Sequence, residues 1–296
     1  MRYITVTLNP VIDRTYFLTS AYKAVGLNRA EKMSEVIYSG KGINVSRELL
    51  SLGVDSKALC ILQGKDGEAA RRSMAEEGLD LVPVMCGGRM RNNIAIVDPV
   101  GTASEVNEPG CEVTFDTVEK FLSIFEDAVS GDGEKTVVIS GSTPPGFTKD
   151  IYKDLILRAK KQGCRVVFDA DGELLREGLE ARPLLIKPNE FELSSLVGIE
   201  FSSDSEKARE EALAASSLIY EKTGVEVLCT LGEKGSVFAG AEGNCICPAH
   251  AAEIKRFKGA GDMFLARFIY ERFELDRPVS ESMKIASEQT ARKLAE

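Results

Sequence analysis

A single acidic residue follows a run of three small residues in the last sixth of the chain. Gly259, Ala260 and Gly261 precede Asp262, where an apolar pattern typical of a helix begins. Such a helix start exposes backbone N–H groups and the positive end of the helix dipole, which suits a transferring phosphoryl group. An adjacent carboxylate can accept a hydroxyl proton. The same residues also fit a glycine turn with an acidic cap, and spacing alone leaves both interpretations open.

A glycine-rich segment, SGKGINVSRELLSLG at 39–53, leads into a second predicted helix. Gly40 and Gly42 leave the backbone bare, Lys41 adds a positive charge, and Asn44 can present its amide from the first turn. This composition fits a ligand-binding loop. It equally fits a common loop before a helix, and both interpretations stay open.

A third polar segment, KPNEFEL at 187–193, combines a helix cap with an isolated cation. Asn189 and Glu192 have the spacing of a capping box, which is a sufficient structural role for both. Lys187 stands at a predicted strand end, where a buried ammonium group needs an anionic partner. We therefore expect an anionic group or ligand beside Lys187.

Composition excludes several classes of function. The 296 residues carry 37 Lys and Arg against 46 Asp and Glu, a net charge of −9, which argues against nucleic acid or an anionic membrane surface as the main partner. The one histidine, His250, argues against serine-hydrolase triads and histidine-rich metal sites. The chain starts without a signal-peptide pattern, has no apolar stretch of ~20 residues and has seven scattered cysteines, so we expect a cytoplasmic protein.

Short apolar runs alternate with helical patterns along most of the chain. The expected strands are 56–62, 135–140, 164–170, 183–189 and 225–232, and the expected intervening helices include 66–78, capped by Asp66, and about 148–162. This alternation predicts an α/β fold with a largely parallel sheet covered by helices on both faces. Residues 12–38 and 89–108 break the rhythm with short alternating strands, which we interpret as a small β lid within one domain spanning 1–296.

Six segments occur in one order along the chain, and together they carry a family resemblance. They are TLNPVIDRT (7–15), GKGINVSR (40–47), ISGSTPPG (139–146), KPNEFE (187–192), TLGEKGS (230–236) and GAGD (259–262). Over essentially its whole length the chain resembles the ribokinase-like sugar kinases of the phosphofructokinase B family, most of all the 1-phosphofructokinase and tagatose-6-phosphate kinase branch. The resemblance implies a three-layer α/β/α sandwich with a β-sheet lid, and an ATP- and Mg²⁺-dependent kinase for a ketohexose phosphate.

The resemblance also implies a role for individual residues. Asp262 would be the catalytic base, and the amides of Gly259, Ala260 and Gly261 would form an anion hole. The residues implied in substrate binding are Asp13, Arg29, Gly40, Lys41, Gly42, Asn44, Arg91 and Ser140, with Lys41, Arg91, Arg29 and, more weakly, Arg89 as candidates for the substrate phosphate. The residues implied around the nucleotide are Lys187, Asn189, Thr230, Gly232 and Gly235, with Glu192 meeting Mg²⁺ through water. Arg29 could act across a homodimer formed through the lid.

Several positions depart from the family pattern. Arg256, Phe257 and Lys258 replace small or hydroxylated residues before the glycines, and Met263 replaces a small residue after the aspartate. Ala95 stands where the branch often has a lysine. Two alternatives therefore accompany the sugar-phosphate kinase: a kinase for an unphosphorylated sugar or nucleoside, and a sugar-phosphate sensor without catalysis.

Overall fold

The computed structural model describes residues 2–100, 103–250 and 259–295. The strands in these ranges are β1 Tyr3–Thr7, β2 Val11–Leu18, β3 Ala30–Met33, β4 Ile37–Ser39, β5 Ser56–Gln63, β6 Asp80–Cys86, β7 Arg91–Val97, β8 Ala103–Asn107, β9 Thr136–Ser140, β10 Arg165–Asp169, β11 Leu185–Ile186, β12 Glu226–Thr230, β13 Ser236–Gly240 and β14 Gly243–Cys247. The helices are α1 Lys41–Ser51, α2 Gly64–Glu76, α3 Phe115–Val129, α4 Ile151–Lys161, α5 Gly172–Glu180, α6 Glu190–Val197, α7 Ser205–Thr223, α8 Ala260–Ile269 and α9 Val279–Ala295.

The larger sheet has nine strands in the order β14-β13-β12-β11-β10-β9-β1-β5-β6. The pairs from β12 to β6 are parallel, and β13 and β14 add an antiparallel edge. Its inner strands are continuous apolar runs, such as TVVIS in β9, because both faces are covered. The prediction of a largely parallel sheet is confirmed.

Helices cover both faces of this sheet. One apolar cluster joins the sheet to α3–α7 and includes Phe121, Tyr152 and Phe168. A second cluster on the opposite face joins it to α1, α8 and α9 through Leu49, Phe268 and Met283. The expected three-layer arrangement is confirmed. In the part of the chain that the structure describes, no helix has the length and apolar composition needed to cross a membrane.

The second sheet has five strands and forms the lid. Its order is β3-β2-β7-β8, with β4 pairing β2. All five strands come from the two segments in which the sequence predicts lid strands. The short alternating runs in these segments favour strands of a sheet that has one face covered and one face exposed. The parallel pairing of β2 with β7 joins the two segments.

Three predicted boundaries were wrong by a few residues. Helix α2 begins at Gly64, with Gln63 as its N-cap, so Asp66 lies in the first turn, where its charge meets the helix dipole without capping. Helix α4 begins at Ile151, because residues 148–151 form a turn in which the Ile151 amide donates a hydrogen bond to the Thr148 carbonyl. The strand expected at 183–189 is only Leu185–Ile186, because the prolines on either side of it have no N–H to donate to the sheet.

Candidate active site

The candidate site lies where the carboxyl ends of β9, β10 and β11 meet the first turns of α1 and α8. Ser140 ends β9 and Asp169 ends β10, and the two are paired in register. Lys187 directly follows β11. Ligands collect at this edge of open parallel sheets, because loops and helix starts converge there.

Asp262 lies in the first turn of α8 and its carboxylate is buried, with 8% of the residue exposed. Its Oδ2 accepts a hydrogen bond from Asn44 Nδ2 at 2.8 Å. Burial and, next, the nearby carboxylate of Asp169 raise the pKa of Asp262 to about 6, against the effects of Asn44, Lys41 and Lys187. A carboxylate with such a pKa is ionised at neutral pH and basic enough to take a proton.

The glycines before Asp262 lie beside two polar side chains of the site, Asn44 and Lys187. Gly259 is the N-cap of α8 and adopts a left-handed conformation, with φ of 78°, and no side chain caps this helix. A Cβ atom on Gly261 would lie 3.5 Å from Lys187 Nζ. The first-turn amides of α8, which have no partner within the helix, therefore lie close to a lysine ammonium group. The acidic-cap interpretation is wrong in its geometry, since Gly259 occupies the cap position.

Asp169 joins the two lysines of the site and was missed by the sequence analysis. Its carboxylate is 1% exposed, with Oδ1 2.8 Å from Lys41 Nζ and Oδ2 3.0 Å from Lys187 Nζ. Burial alone would raise the pKa of Asp169, but Lys187 and Lys41 outweigh it and the pKa is lowered. The available signal was an acid at the end of a buried strand. Lys187 has the anionic partner that its position requires.

Lys41 is held by carboxylates. Besides Asp169, Glu192 Oε1 lies 3.9 Å from its ammonium group. Burial would lower the pKa of Lys41, yet the two acids raise it. Lys41 therefore stays charged at any working pH, and its ammonium group faces carboxylates that were not part of the expected phosphate-binding role.

Asn189 and Glu192 form the predicted capping box at the start of α6, so that prediction is confirmed. Burial raises the pKa of Glu192 against the influence of Lys41. Asn189 also forms a parallel bridge with Thr230, which brings the end of β12 to the same place. The structure thus gathers Lys187, Asn189, Glu192 and Thr230 from two separate segments.

The two expected nucleotide glycines lie in the turn between β12 and β13. Gly232 has open space around it, with φ of 59°. Gly235 is required by packing, since a Cβ atom there would lie 2.2 Å from the carbonyl oxygen of Cys247. Only Gly232 therefore leaves room for a ligand beside this turn.

Magnesium fits the acids at this edge of the sheet. Mg²⁺ usually takes one or two carboxylates and completes its shell with water and phosphate oxygens. Glu192 supplies one carboxylate here, whereas both oxygens of Asp169 already face lysine ammonium groups, and the buried Ser140 hydroxyl lacks a hydrogen-bond partner among the described residues. No group of three or more metal-ligating side chains occurs in the described ranges, so the residues suit an ion held largely by water and nucleotide.

Of the sugar-binding residues that the resemblance implied, Asp13 lies in the lid and Gly40, Lys41, Gly42 and Asn44 lie at the start of α1. Asp13 in β2 accepts hydrogen bonds from Ser39 Oγ and, at 2.9 Å, from Asn93 Nδ2. Gly40 and Gly42 allow α1 to approach β1, since a Cβ atom on either would lie 2.6 Å from the Thr7 side chain. A packing requirement therefore explains these glycines without a ligand.

The lid cations differ in their surroundings. Arg91 is half-buried and donates from Nε to the Asn9 carbonyl at 3.0 Å. Burial lowers the pKa of Arg91, opposed by Asp13 among other groups. Arg89 is exposed and pairs with Glu108 at 2.7 Å, and Arg29 is exposed on the loop before β3. Asp13, another implied substrate-binding residue, is thus an electrostatic neighbour of Arg91.

The unusual neighbours of the glycine segment are only partly described. Arg256, Phe257 and Lys258 lie outside the described residues. Met263 is half-buried in α8 beside Asp262, and Ala95 is buried in β7 opposite Thr15. Residues 91, 93 and 95 alternate along β7, so a lysine at 95 would lie on the same face of the strand as Arg91.

Comparisons with known proteins agree with this fold. The family model described as pfkB family carbohydrate kinase matches residues 6–291. The chain is 31% identical to a 1-phosphofructokinase of Bacillus subtilis and 30% identical to a D-tagatose-1-phosphate kinase of Klebsiella oxytoca, each over 90% of this chain and 84% of the relative. It is also similar to the tetrameric inhibited form of Escherichia coli phosphofructokinase-2, with a TM-score of 0.86, 25% identity and coverage of 99% of this chain and 94% of that one.

Proposed function

The chain belongs to the pfkB family of carbohydrate kinases, and on that premise we propose that it transfers a phosphoryl group from ATP to a hydroxyl of a ketohexose phosphate of the fructose 1-phosphate or tagatose 6-phosphate type. The observation that carries this proposal is the buried carboxylate of Asp262 at the start of α8, next to Asn44 and Lys187. A base, unpartnered amides and a cation in one place are what phosphoryl transfer to a hydroxyl needs.

Asp262 is the proposed general base. Asn44 holds its Oδ2, so Oδ1 is the atom that we assign to accept the proton of the attacking hydroxyl. The hydroxyl oxygen bonds to the γ-phosphorus of ATP, and the bond from that phosphorus to the departing ADP oxygen breaks. Lys187 and the first-turn amides of α8 face the charge on the transferring group.

Glu192 is the proposed carboxylate for magnesium, which it would meet through water, and Asp169 lies beside it with both oxygens facing lysines. Bound magnesium neutralises charge on the nucleotide phosphates. Asp169 also holds the ammonium groups of Lys41 and Lys187 in fixed positions. Asn189, Thr230 and Gly232 are proposed to lie along the nucleotide, because they share the sheet edge with these acids.

Arg91 and Asp13 are the proposed contacts to the sugar phosphate and its hydroxyls. The guanidinium of Arg91 lies in the electrostatic range of Asp13, so a ligand between lid and α1 meets both. The two relatives, a 1-phosphofructokinase and a D-tagatose-1-phosphate kinase, favour a ketohexose carrying phosphate on C1. The one remaining primary hydroxyl of such a substrate is on C6, which is the acceptor that we propose.

A kinase for an unphosphorylated sugar or nucleoside is the second candidate. The contacts of Lys41 with Asp169 and Glu192 favour it, since this cation was expected to meet the substrate phosphate. Arg89 is likewise paired, with Glu108. If Arg91 alone cannot hold a phosphate, the acceptor is a neutral sugar.

We also propose a cytoplasmic homodimer formed through the lid. Several apolar lid side chains are exposed, namely Met33, Ile37 and Val106. A solved relative is described as tetrameric, so assembly occurs among proteins of this fold. Dimerisation would cover the apolar lid face and could bring Arg29 of one copy to the site of the other.

Steady-state measurement of ADP release tests the proposal. The panel contains fructose and tagatose, their 1-phosphates and 6-phosphates, and adenosine, each with Mg²⁺ and ATP. We expect the highest kcat/KM with a ketohexose phosphate and, for a 1-phosphate substrate, a product carrying its second phosphate on C6 by ³¹P–¹H NMR. Equal or better turnover of free sugar or adenosine would support the second candidate. Sugar-phosphate binding without ADP release would instead identify a sensor.

A further inference from the structure

Glu48 is a buried carboxylate outside the candidate site that is held by cations from two other helices. It lies on α1 with 5% of the residue exposed. Its Oε1 is 2.5 Å from Arg267 Nε on α8, and its Oε2 is 2.5 Å from Lys293 Nζ on α9. One carboxylate therefore connects α1 separately to each of the two helices that pack beside it.

The Glu48–Arg267 contact joins the same two helices as the Asn44–Asp262 contact within the site. Asn44 and Glu48 are four residues apart, so they lie on one face of α1. Their partners, Asp262 and Arg267, both belong to α8. Two polar contacts about one turn apart thus join the same pair of helices, the first at the proposed base and the second below it.

The rest of the α1–α8 interface is apolar. Val45 and Leu49 of α1 share one cluster with Phe264, Leu265 and Phe268 of α8. Apolar contacts favour association without a preferred direction, whereas a buried hydrogen-bonded ion pair selects one register. The polar pairs therefore determine how far α8 is shifted or rotated along α1.

Helix α1 is fixed to the sheet independently of α8. The Ser46 hydroxyl bonds with those of Thr5 and Ser56, each at 2.8 Å. The Ile43 amide donates to Thr7 Oγ1 at 3.0 Å. Helix α1 is accordingly the fixed reference against which the Glu48–Arg267 pair aligns α8.

We propose that Glu48 and Arg267 are positioning residues that set the register of α8 on α1 and thereby hold Asp262 against Asn44. Neither residue touches the reacting atoms, and both act through the helices that carry the site. This inference rests on the proposed function, in which Asp262 is the base.

Lys293 offers a matched control because it binds the same carboxylate from α9. Arg267→Gln and Lys293→Gln each remove one cation from Glu48, but only the first removes a polar contact between α1 and α8. We expect Arg267→Gln to lower kcat about tenfold to a hundredfold, as small misplacements of a catalytic group do, with KM for ATP within about twofold. Lys293→Gln should keep kcat within about twofold of the wild type. Arg267→Lys, which keeps the charge, should recover part of the loss.

The titration of Asp262 distinguishes positioning from general stability. The groups facing its carboxylate are Asn44 and Lys41 from α1, Asp169 from β10 and Lys187 after β11. The hydrogen bond from Asn44 favours the ionised form of Asp262. If Arg267→Gln weakens this bond, the midpoint of the pH profile of kcat should move to higher pH. In Lys293→Gln the midpoint should stay where it is in the wild type. Equal kcat losses in the two variants, or an unchanged midpoint in Arg267→Gln, would overturn the inference.

A measurement without turnover separates this inference from the proposed function. Side-chain ¹³C NMR of labelled aspartate, assigned with Asp262→Asn, follows the Asp262 carboxyl directly. We expect its midpoint to rise in Arg267→Gln alone. If the wild type phosphorylates no member of the substrate panel, the proposed function fails, while the NMR comparison still decides whether Glu48 and Arg267 hold Asp262 in place.

Discussion

Asn44 donates from Nδ2 to Oδ2 of Asp262 over 2.8 Å, across 218 residues of sequence. The orientation of this amide is determined from its other end, since Asn44 Oδ1 accepts a hydrogen bond from Arg47 Nη1 at 2.9 Å. The donating nitrogen therefore faces the carboxylate. One contact joins the glycine-rich start of α1 to the glycine-rich start of α8, the two segments with the least side-chain bulk in the site.

Asp262→Asn should remove most turnover and leave nucleotide binding nearly unchanged. General-base catalysis typically contributes about 10²- to 10⁴-fold, and the amide cannot accept the proton. The measurement is kcat in the ADP-release assay, with ATP affinity from calorimetry. Asp116→Asn is the matched control, because Asp116 is also an acid in the first turn of a helix, α3, away from the site. A near-normal rate for Asp262→Asn would exclude Asp262 as the base.

The pH profile of kcat/KM should fall on the acid side with a midpoint near the Asp262 pKa of about 6. Activity needs the ionised carboxylate, so the rate rises with pH through this value and then levels off. Asn44→Ala should move the midpoint to higher pH, because the lost hydrogen bond had favoured the ionised form. An acid limb that stays in place in Asn44→Ala would contradict the assignment of this limb to Asp262.

Asp262→Asn should also stabilise the fold at neutral pH. The pKa of Asp262 rises from 3.8 to about 6 on folding, so the folded state binds the proton more tightly and loses stability as pH rises from about 4 to about 6. Asparagine has no such loss, and the expected gain at pH 7 is on the order of 2 to 3 kcal/mol. Urea unfolding at pH 7 and near pH 3.5 checks this, since the gain should vanish at the lower pH. A gain of equal size at both pH values would have another cause.

Asp169→Asn is expected to have the opposite effect on stability. Its pKa is lowered by Lys187 and Lys41, so its contribution is present above the unfolded pKa near 3.8 and is lost as pH falls through the folded value. Removing one partner of a buried pair costs about 3 to 5 kcal/mol. Urea unfolding at pH 7 should show this loss. Stability equal to that of the wild type would mean that the two lysines find other partners.

Local patterns predicted much of this arrangement. The capping box of Asn189 and Glu192 depends on residues three apart, and the strand ends follow from short apolar runs, so both can be read from neighbouring positions. The six ordered segments identified the family and with it the three layers and the lid.

Contacts between distant segments were beyond such patterns. The resemblance implied that Lys41 meets a substrate phosphate, and the partner that the structure gives Lys41, Asp169, lies 128 residues away. A sequence shows that a cation is present, but the fold, which brings the start of α1 to the end of β10, decides which acid it meets. Asp169 was missed because its place at a strand end, the one local signal, does not show which cations it meets.

Arg91 decides between a phosphorylated and an unphosphorylated substrate. If its guanidinium binds the substrate phosphate, Arg91→Met should raise KM for the sugar phosphate by about 10- to 100-fold, the value of a charged hydrogen bond. Arg91→Met also removes the hydrogen bond to the Asn9 carbonyl, but that loss should affect every substrate alike. The ratio of the KM values for phosphorylated and free sugar therefore reports only the interaction between the Arg91 charge and the substrate phosphate. Arg89→Met, which removes an exposed guanidinium paired with Glu108, should leave that ratio unchanged. An unchanged ratio in Arg91→Met would instead favour the free sugar as the substrate, because Lys41 is already held by Asp169 and Glu192.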